Sequence, residues 1–300
     1  MRPLPAATLD NINPPVRGYR YFDHAESTLE TGRGIESARN RWLLSEYALL
    51  AYDDAQRIGE TLRDRSSRLH FLRGAGHKGF AYVADLDGHD AVLAFRGTQV
   101  FKPGDSLSKF GEVASDYWTD GRFAKRAAHG GGWMHGGFAD SADELIDALL
   151  DTDLLASPRR WWIAGHSLGG ALALLAASRL REEAEQRIAA VLSFGQPKVG
   201  DATFVSRLEE LPVYRIVHGC DVVPTLPPAA FGFAHTSREH VIDAARRADY
   251  PRAVFNHIAD YAQRWRQGLG ALTPLALLDH APIYYATHCY NEYVAGANAR

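Results

Sequence analysis

A strand, a sharp turn and a helix follow one another without a break around Ser167. Residues 161–164 (Trp-Trp-Ile-Ala) are typical of a buried strand, and residues 171–177 form an apolar run typical of a buried helix. The turn at 165–169 reads Gly-His-Ser-Leu-Gly, so both positions two residues from the serine lack a side chain. This unit restricts the chain to α/β folds, in which helices pack back on the strands they follow.

Other segments extend this strand–helix pattern from about residue 90 to 265. Residues 80–86 and 91–95 are predicted strands joined across Asp87 and Gly88, a strong hairpin signal, and further strands are predicted at 189–194 and 213–218. Helices are predicted at 35–63, from a capping box at 141–144 through 150, at 168–183, and from Pro251. With no linker or repeat between these segments, we expect a mostly parallel sheet covered by helices on both faces.

The domain organisation follows from where this pattern starts and stops. Residues 1–34 are rich in Pro, Gly, Asn and Arg, and we expect an irregular arm packed on a single domain formed by residues 35–300. Residues 99–133 lack a clear period, and a loop of that length inside a compact domain is usually functional or disordered.

Composition excludes several classes of partner. The net charge of -3 gives no polybasic surface for nucleic acid, and no run approaches the ~20 apolar residues of a membrane span. Residues 1–13 show no secretory signal, so we expect a cytoplasmic protein, or one secreted without a leader or after processing. Cys220 and Cys289 cannot form a disulfide framework; they could form one bridge, but two free thiols are expected.

Ser167 is the candidate nucleophile because a helix beginning at the serine aims free backbone N–H groups at a developing oxyanion. A serine hydroxyl also needs a base to take its proton, and the base needs a third group to orient it. On a parallel sheet these partners follow the serine in the order Asp or Glu, then His. Asp221, three residues beyond the strand at 213–218, is the first candidate for the orienting group.

The base is less well determined by the residues alone. Five histidines follow the serine closely enough to compete: His218, His235, His240, His257 and His280. His280 lies in a loop before a local proline and is favoured over His235, although this reasoning leaves both open. His235 and His240 are also consistent with a polar loop, and His257 with an exposed position on the last predicted helix. We expect neither a metal nor a cofactor, since no His or Cys spacing is set in a supporting context.

The chain from about residue 35 to 285 resembles the class 3, or fungal-type, lipase family of the α/β-hydrolase superfamily. The resemblance rests on ordered blocks: Ala-Phe-Arg-Gly-Thr at 94–98, Asp-Tyr-Trp-Thr-Asp at 116–120, His-Gly-Gly-Phe at 135–138, Gly-His-Ser-Leu-Gly-Gly at 165–170, Phe-Gly-Gln-Pro-Lys-Val-Gly at 194–200, Tyr-Arg-Ile-Val at 214–217, Asp-Val-Val-Pro-Thr-Leu-Pro-Pro at 221–228 and Asp-His at 279–280.

The resemblance implies an α/β-hydrolase fold with a lid at about residues 99–120. It implies that Ser167 is the nucleophile, Asp221 the orienting acid and His280 the base. It also implies that Thr98 and Leu168 supply the oxyanion hole, and that His235 is instead the histidine before the outer strand. The segment between Thr98 and residue 116 is longer than is usual for the family.

The implied activity is carboxylic ester hydrolysis, with a triacylglycerol lipase acting through an acyl-enzyme as the first hypothesis. The expected partner is a lipid or other ester, at an oil–water interface in the case of a lipase. A short-chain or feruloyl-type esterase or a phospholipase would use the same scaffold, because a fold does not determine the substrate. A non-catalytic lipid-binding relative is the alternative from a different functional class.

Overall fold

A seven-stranded sheet forms the centre of the molecule. The structure is a computed structural model that describes residues 1–6, 11, 14–23, 28–74, 79–98, 125–243 and 279–298. The sheet strands are β1 (Arg68–Arg73), β2 (Phe80–Asp85), β3 (Asp90–Phe95), β6 (Arg160–His166), β7 (Arg187–Phe194), β8 (Val213–His218) and β9 (Glu239–Ile242). Two further strands, β4 (Lys125–Ala127) and β5 (Trp133–His135), form a separate ribbon.

The helices of the described residues surround this sheet. They are α1 (Ala38–Leu50), α2 (Ala55–Leu62), α3 (Gly136–Leu150), α4 (Leu168–Ala184), α5 (Ala202–Leu208) and α6 (Pro282–Asn298), with short 3-10 turns between some of them. None of the helices in the described ranges combines the length and the apolar character needed to cross a bilayer.

The sheet is mostly parallel, as the sequence predicts. Its strand order is β1-β2-β3-β6-β7-β8-β9, in which β1, β2 and β3 pair antiparallel and every later neighbouring pair is parallel. The carboxyl ends of the five parallel strands therefore meet at one edge. Open α/β sheets place their ligand sites at that edge.

Alternate side chains of the central strands enter two separate hydrophobic cores. Trp161 and Ile163 of β6 pack with α3, α4 and α5 on one face, whereas Trp162 and Ala164 pack with α1 and α6 on the other. Because successive side chains of a strand point to opposite faces, a strand buried on both sides reads as a continuous apolar run. This explains the unbroken run at 161–164 and the placement of helices on both faces.

The predicted helix over 35–63 is wrong in one respect, because two helices occupy this segment. α1 ends at Leu50 and α2 begins at Ala55. Asp54 caps α2 by accepting a hydrogen bond of 2.8 Å from the backbone N–H of Arg57. An aspartate at an N-cap begins a new helix, although the apolar residues on either side of it can keep a helical spacing. The spacing alone therefore predicts one helix where there are two.

The predicted start of α3 at the capping box of 141–144 is also wrong. The helix begins five residues earlier, at Gly136, and His135 is its N-cap. The Nδ1 atom of His135 accepts a hydrogen bond of 3.3 Å from the backbone N–H of Phe138. Ser141 lies inside the helix, where its hydroxyl donates to the carbonyl of Gly137. A histidine is outside the usual set of N-cap residues, so the local sequence pointed to the serine instead.

Some elements were not predicted at all. β1 is an edge strand whose side chains are mostly exposed, so it lacks the alternation that marks a half-buried strand. α6 was missed although Pro282 stands at its first position, a favoured place for proline. His240, which the sequence placed in a polar loop, lies on β9. The lid at about 99–120, the helix from Pro251 and His257 lie outside the described residues.

The burial of His135 predicts a stability that falls in acid. His135 is 1% exposed, and burial lowers its pKa to about 4, whereas the unfolded chain takes up this proton near the ordinary value of 6.5. Between these values the unfolded state binds more protons, so stability is complete above about pH 6.5 and declines as the pH falls toward 4. His135→Asn, which keeps a capping side chain, should reduce the stability loss between pH 7.5 and 5 by about 1 to 2 kcal/mol.

Urea unfolding at the two pH values measures this difference. His129→Asn, which removes an imidazole whose side chain is 97% exposed, is the matched control and should leave the pH dependence in place. An equal loss of stability in wild type and His135→Asn would contradict the prediction.

Candidate active site

The turn after β6 holds Ser167 in a backbone conformation that is rare for a residue with a side chain. Its φ is 59° and its ψ is −127°, between the end of β6 and the first residue of α4. A Cβ added to Gly165 would lie 2.1 Å from the carbonyl oxygen of Gly169, and one added to Gly169 would lie 2.3 Å from that of Phe95. Only glycine fits at these two positions, because the backbone segments that meet at the turn leave no room for a Cβ. The same close packing holds Ser167 in its strained conformation and explains the glycine pattern of the sequence.

His280 is the histidine that reaches Ser167. Its Nε2 atom lies 2.9 Å from Oγ of Ser167, and its Nδ1 atom lies 2.8 Å from Oδ2 of Asp221. Because a carboxylate only accepts hydrogen bonds, Nδ1 carries a proton, and in the neutral ring Nε2 then presents a lone pair to the serine hydroxyl. His280 is 4% exposed and Asp221 is fully buried, so the hydrogen-bonded series is shielded from water.

Asp221 is held by two further donors. The hydroxyl of Tyr285, on α6, lies 2.5 Å from Oδ2, and the backbone N–H of Val223 donates to Oδ1 at 2.9 Å. Burial, and next the charge of Asp221, raise the pKa of Tyr285 well above its usual value, so this hydroxyl stays protonated and donates. A buried carboxylate needs such partners, because an unpaired charge away from water is strongly unfavourable.

His166, the residue before the serine, holds the backbone of His280. Its Nε2 atom lies 2.6 Å from the carbonyl oxygen of His280, and the hydroxyl of Tyr52 lies 2.8 Å from its Nδ1 atom. Burial, and next the nearby His280, hold the pKa of His166 well below its usual range, so its ring is neutral. The neutral ring therefore accepts from Tyr52 and donates to the carbonyl, which fixes one tautomer.

The other candidate histidines of the described residues occupy different places. His235 donates from Nε2 to the carbonyl of Pro224 at 2.6 Å, and burial lowers its pKa to about 3. It precedes the outer strand β9, as the family resemblance implies, and supports the loop after Asp221. His240 pairs with Glu292 on α6. His218 ends β8, and its Nδ1 atom donates to the carbonyl of Asp279.

Thr98 and Leu168 both lie beside the turn. Leu168 is the first residue of α4, so its N–H is one of the helix groups without an intrahelical acceptor. Thr98 follows the end of β3, and the contact of Gly169 with Phe95 brings that strand end against the start of α4. The two residues expected to stabilise an oxyanion therefore come from neighbouring elements at the same edge of the sheet.

This arrangement contains the parts of a nucleophilic hydrolase. A hydroxyl, a neutral imidazole and a carboxylate form one hydrogen-bonded series, and a helix N-terminus begins at the hydroxyl-bearing residue. Such a group can transfer a proton from the serine while its oxygen attacks an electrophilic carbonyl.

Sequence reasoning missed several residues that support this group. Tyr285, Tyr52 and the positioning role of His166 were not predicted, because their partners are 64 to 114 residues distant along the chain. Gly195 belongs to the family block at 194–200, which predicts no separate role for it. Its φ is 57°, and an added Cβ would lie 2.7 Å from Oδ2 of Asp221. A glycine directly after a buried strand was the available signal of a close approach.

Comparison with known proteins agrees with the fold. The sequence model of the class 3 lipases matches residues 92–231. A secreted mono- and diacylglycerol lipase of Malassezia globosa is 33% identical over 234 residues, which are 74% of this chain and 75% of that protein. Secreted mono- and diacylglycerol lipase 1 of Fusarium solani is 36% identical over 170 residues, 54% of this chain and 47% of that protein.

The solved structures that are similar include a Rhizomucor miehei triacylglyceride lipase. That structure has a TM-score of 0.51 and 28% identity, and the match covers 69% of this chain and 80% of the other. The chain spans less than half the length of several curated relatives that it matches, such as 32% of a Rhizomucor miehei lipase. Taken with the extended match to the Malassezia globosa protein, these similarities show that the chain belongs to the class 3 lipase family, with the α/β-hydrolase fold.

Proposed function

We propose that this chain is a carboxylic ester hydrolase of the acylglycerol lipase type, with Ser167 as its nucleophile. The observation that carries the proposal is the hydrogen-bonded series from Ser167 through His280 to Asp221, with separations of 2.9 and 2.8 Å. The family supports the same chemistry, since the relatives are named as lipases.

In the first half of the reaction, His280 takes the proton of Ser167 at Nε2 while the serine oxygen attacks the ester carbonyl. The imidazolium that forms is stabilised by Asp221, which remains a carboxylate. The backbone N–H groups of Thr98 and Leu168 hold the negative charge on the former carbonyl oxygen, and the hydroxyl of Thr98 is a further donor. His280 then gives its proton to the departing alcohol, which leaves an acyl-enzyme on Ser167.

In the second half, water replaces the alcohol. His280 takes a proton from the water, whose oxygen attacks the acyl carbonyl, and returns that proton to the oxygen of Ser167 as the carboxylic acid leaves. His280 must keep the same position through both halves. Tyr285, through Asp221, and His166, through the carbonyl of His280, restrict its ring and its backbone.

The proposed substrate is an acylglycerol presented at an oil–water interface. The names of the relatives from Malassezia globosa and Fusarium solani specify mono- and diacylglycerols, and that of the Rhizomucor miehei structure specifies a triacylglyceride. The lid expected at about 99–120 is proposed to control the access of these lipids to Ser167. Soluble short-chain esters are the alternative substrate, and the profile of chain lengths separates the two.

We expect wild type to hydrolyse long-chain acylglycerols in emulsion faster than soluble two-carbon esters. Ser167→Ala should reduce turnover by at least about 10³-fold on every ester, because the residual rate comes from binding and the oxyanion donors alone. Initial rates on esters of increasing chain length, below and above the solubility limit, give the profile. A preference for two-carbon esters without a gain at the interface would contradict the lipase assignment, and full activity of Ser167→Ala would contradict the hydrolase itself.

The close approach at Gly195 makes a second prediction. In Gly195→Ala the new Cβ would meet Asp221 and lie 3.0 Å from Nδ1 of His280, so we expect turnover to fall at least about tenfold. Gly88→Ala is the matched control, because Gly88 has a φ of 80° and open space around it. Both variants should lose about 1 kcal/mol or more of stability from backbone strain, but only Gly195→Ala should lose activity.

Steady-state kinetics and urea unfolding of the two variants test this. Equal turnover in Gly195→Ala, Gly88→Ala and wild type would contradict the prediction, because the hydrogen bond between Asp221 and His280 would then tolerate a side chain at position 195.

A further inference from the structure

Three possible metal ligands meet at the end of β8, beside the segment that carries His280. One ligand atom each of His218, Asp243 and His288 lies within 4.8 Å of the other two. This is the one group of three such residues found within the ranges that the structure describes. His218 is 3% exposed and the other two side chains are half-buried, so the group is shielded but remains open to a small ion.

The three residues are brought together by the fold and not by sequence spacing. His218 ends β8, Asp243 follows β9, and His288 lies on α6, which packs against both strands. Asp243 has a φ of 55°, in the left-handed region that few residues with a side chain adopt. No motif reveals such a site, which explains why the sequence predicts no metal.

A hydrogen bond to the backbone holds the imidazole of His218. Its Nδ1 atom lies 2.9 Å from the carbonyl oxygen of Asp279, and because a carbonyl only accepts, Nδ1 carries the proton. Nε2 therefore holds the lone pair that a metal requires. Metal-binding histidines commonly donate their second N–H to a carbonyl in this way, which fixes the tautomer and the direction of the ring.

The second imidazole lies next to the first. The ring centroids of His218 and His288 are 4.7 Å apart with an interplanar angle of 38°. A carboxylate beside two imidazoles gives a donor set of two nitrogens and an oxygen, which suits Zn²⁺ and related transition ions better than Ca²⁺ or Mg²⁺.

We propose that His218, Asp243 and His288 form a binding site for Zn²⁺, with water as the fourth ligand. Bonds of about 2.0 to 2.2 Å in a tetrahedral site place ligand atoms about 3.4 Å apart. The ligand atoms, which lie within 4.8 Å of one another, would have to approach by up to about 1.4 Å, and the proposal requires the half-buried side chains of Asp243 and His288 to rotate by that amount.

A bound ion would join β8, the end of β9 and α6 at one point. It would also fix the carbonyl of Asp279, the residue directly before His280, through His218. The site therefore stabilises the segment that carries the proposed base without contacting the reacting atoms. This inference does not depend on the proposed hydrolase activity, because its readouts are binding and stability.

The test uses the full chain without a histidine tag, with ZnCl₂ added to protein treated with a chelator. Isothermal titration should give a site with one Zn²⁺ per chain, and Zn²⁺ at 100 times Kd should raise Tm by about 5 °C. Asp243→Asn and His288→Gln should each weaken binding at least about tenfold. His240→Gln is the matched control, because His240 lies on the same strand and contacts α6 through Glu292 but is outside the group.

Co²⁺ binding to the wild-type chain is a second measurement, and it does not depend on whether any variant folds. Coordination by two nitrogens and an oxygen should give visible absorption that Zn²⁺ removes and that Mg²⁺ and Ca²⁺ do not. The proposal is overturned if wild type binds no Zn²⁺ at millimolar concentration, or if both Asp243→Asn and His288→Gln bind it as wild type does.

Discussion

The backbone of Ser167, with φ at 59° and ψ at −127°, is the constraint on which the proposed active site depends. A residue with a side chain stays in such a conformation only when its surroundings leave no alternative. Here the carbonyl of Phe194 on the neighbouring strand accepts the N–H of Ser167 at 2.9 Å. Gly165 allows β6 to meet α4 closely, and Gly169 allows α4 to meet the end of β3. The turn is thus fixed by the sheet on one side and by helix packing on the other.

The parallel pairing of the sheet brings the remaining groups to the same edge. In the β3–β6 pair Phe95 is level with Gly165, and in the β6–β7 pair Gly165 is level with Ser193. The loops after β3, β6, β7 and β8 therefore contribute Thr98, Ser167, Gly195 and Asp221 to one small region. His280 comes from a later segment, so its position depends on hydrogen bonds from that region rather than on strand pairing.

Those hydrogen bonds come from groups that burial keeps neutral. The pKa of His166 is held low and that of Tyr285 is held high, so one ring and one hydroxyl retain fixed donor and acceptor roles. Fixed donor and acceptor roles matter because the imidazole of His280 must first accept and then give a proton. It can do so from one position only if its neighbours keep the same hydrogen bonds throughout. The geometry of Ser167, His280 and Asp221 therefore depends on His166 and Tyr285 as well as on the three side chains themselves.

The sequence was informative where one local rule dominated. The strands at 161–164, 189–194 and 213–218 and the helix after Ser167 were predicted, because continuous apolar runs mark elements buried on all sides. The turn was also predicted, since steric contacts restrict positions 165 and 169 to glycine. At Asp54 and at His135 competing local signals meet, and there the predicted helix boundaries are wrong.

The choice of His280 over His235 shows what residues alone could not decide. Both follow the serine in the expected order, and no local pattern decides between them, whereas in the folded chain His280 contacts Ser167 and His235 contacts Pro224. The resemblance to the class 3 lipases favours His280. The supporting contacts of Tyr52 and Tyr285, and the group formed by His218, Asp243 and His288, depend on long-range packing that no spacing in the chain reveals.

The most direct measurement of the central claim, that His280 and Asp221 activate Ser167, is covalent labelling with a fluorophosphonate probe followed by peptide mass spectrometry. We expect one adduct per folded chain, on Ser167, with labelling slowed by several orders of magnitude in His280→Ala and absent after unfolding. An unlabelled Ser167 in the folded wild-type chain, or labelling at the same rate in His280→Ala, would contradict it.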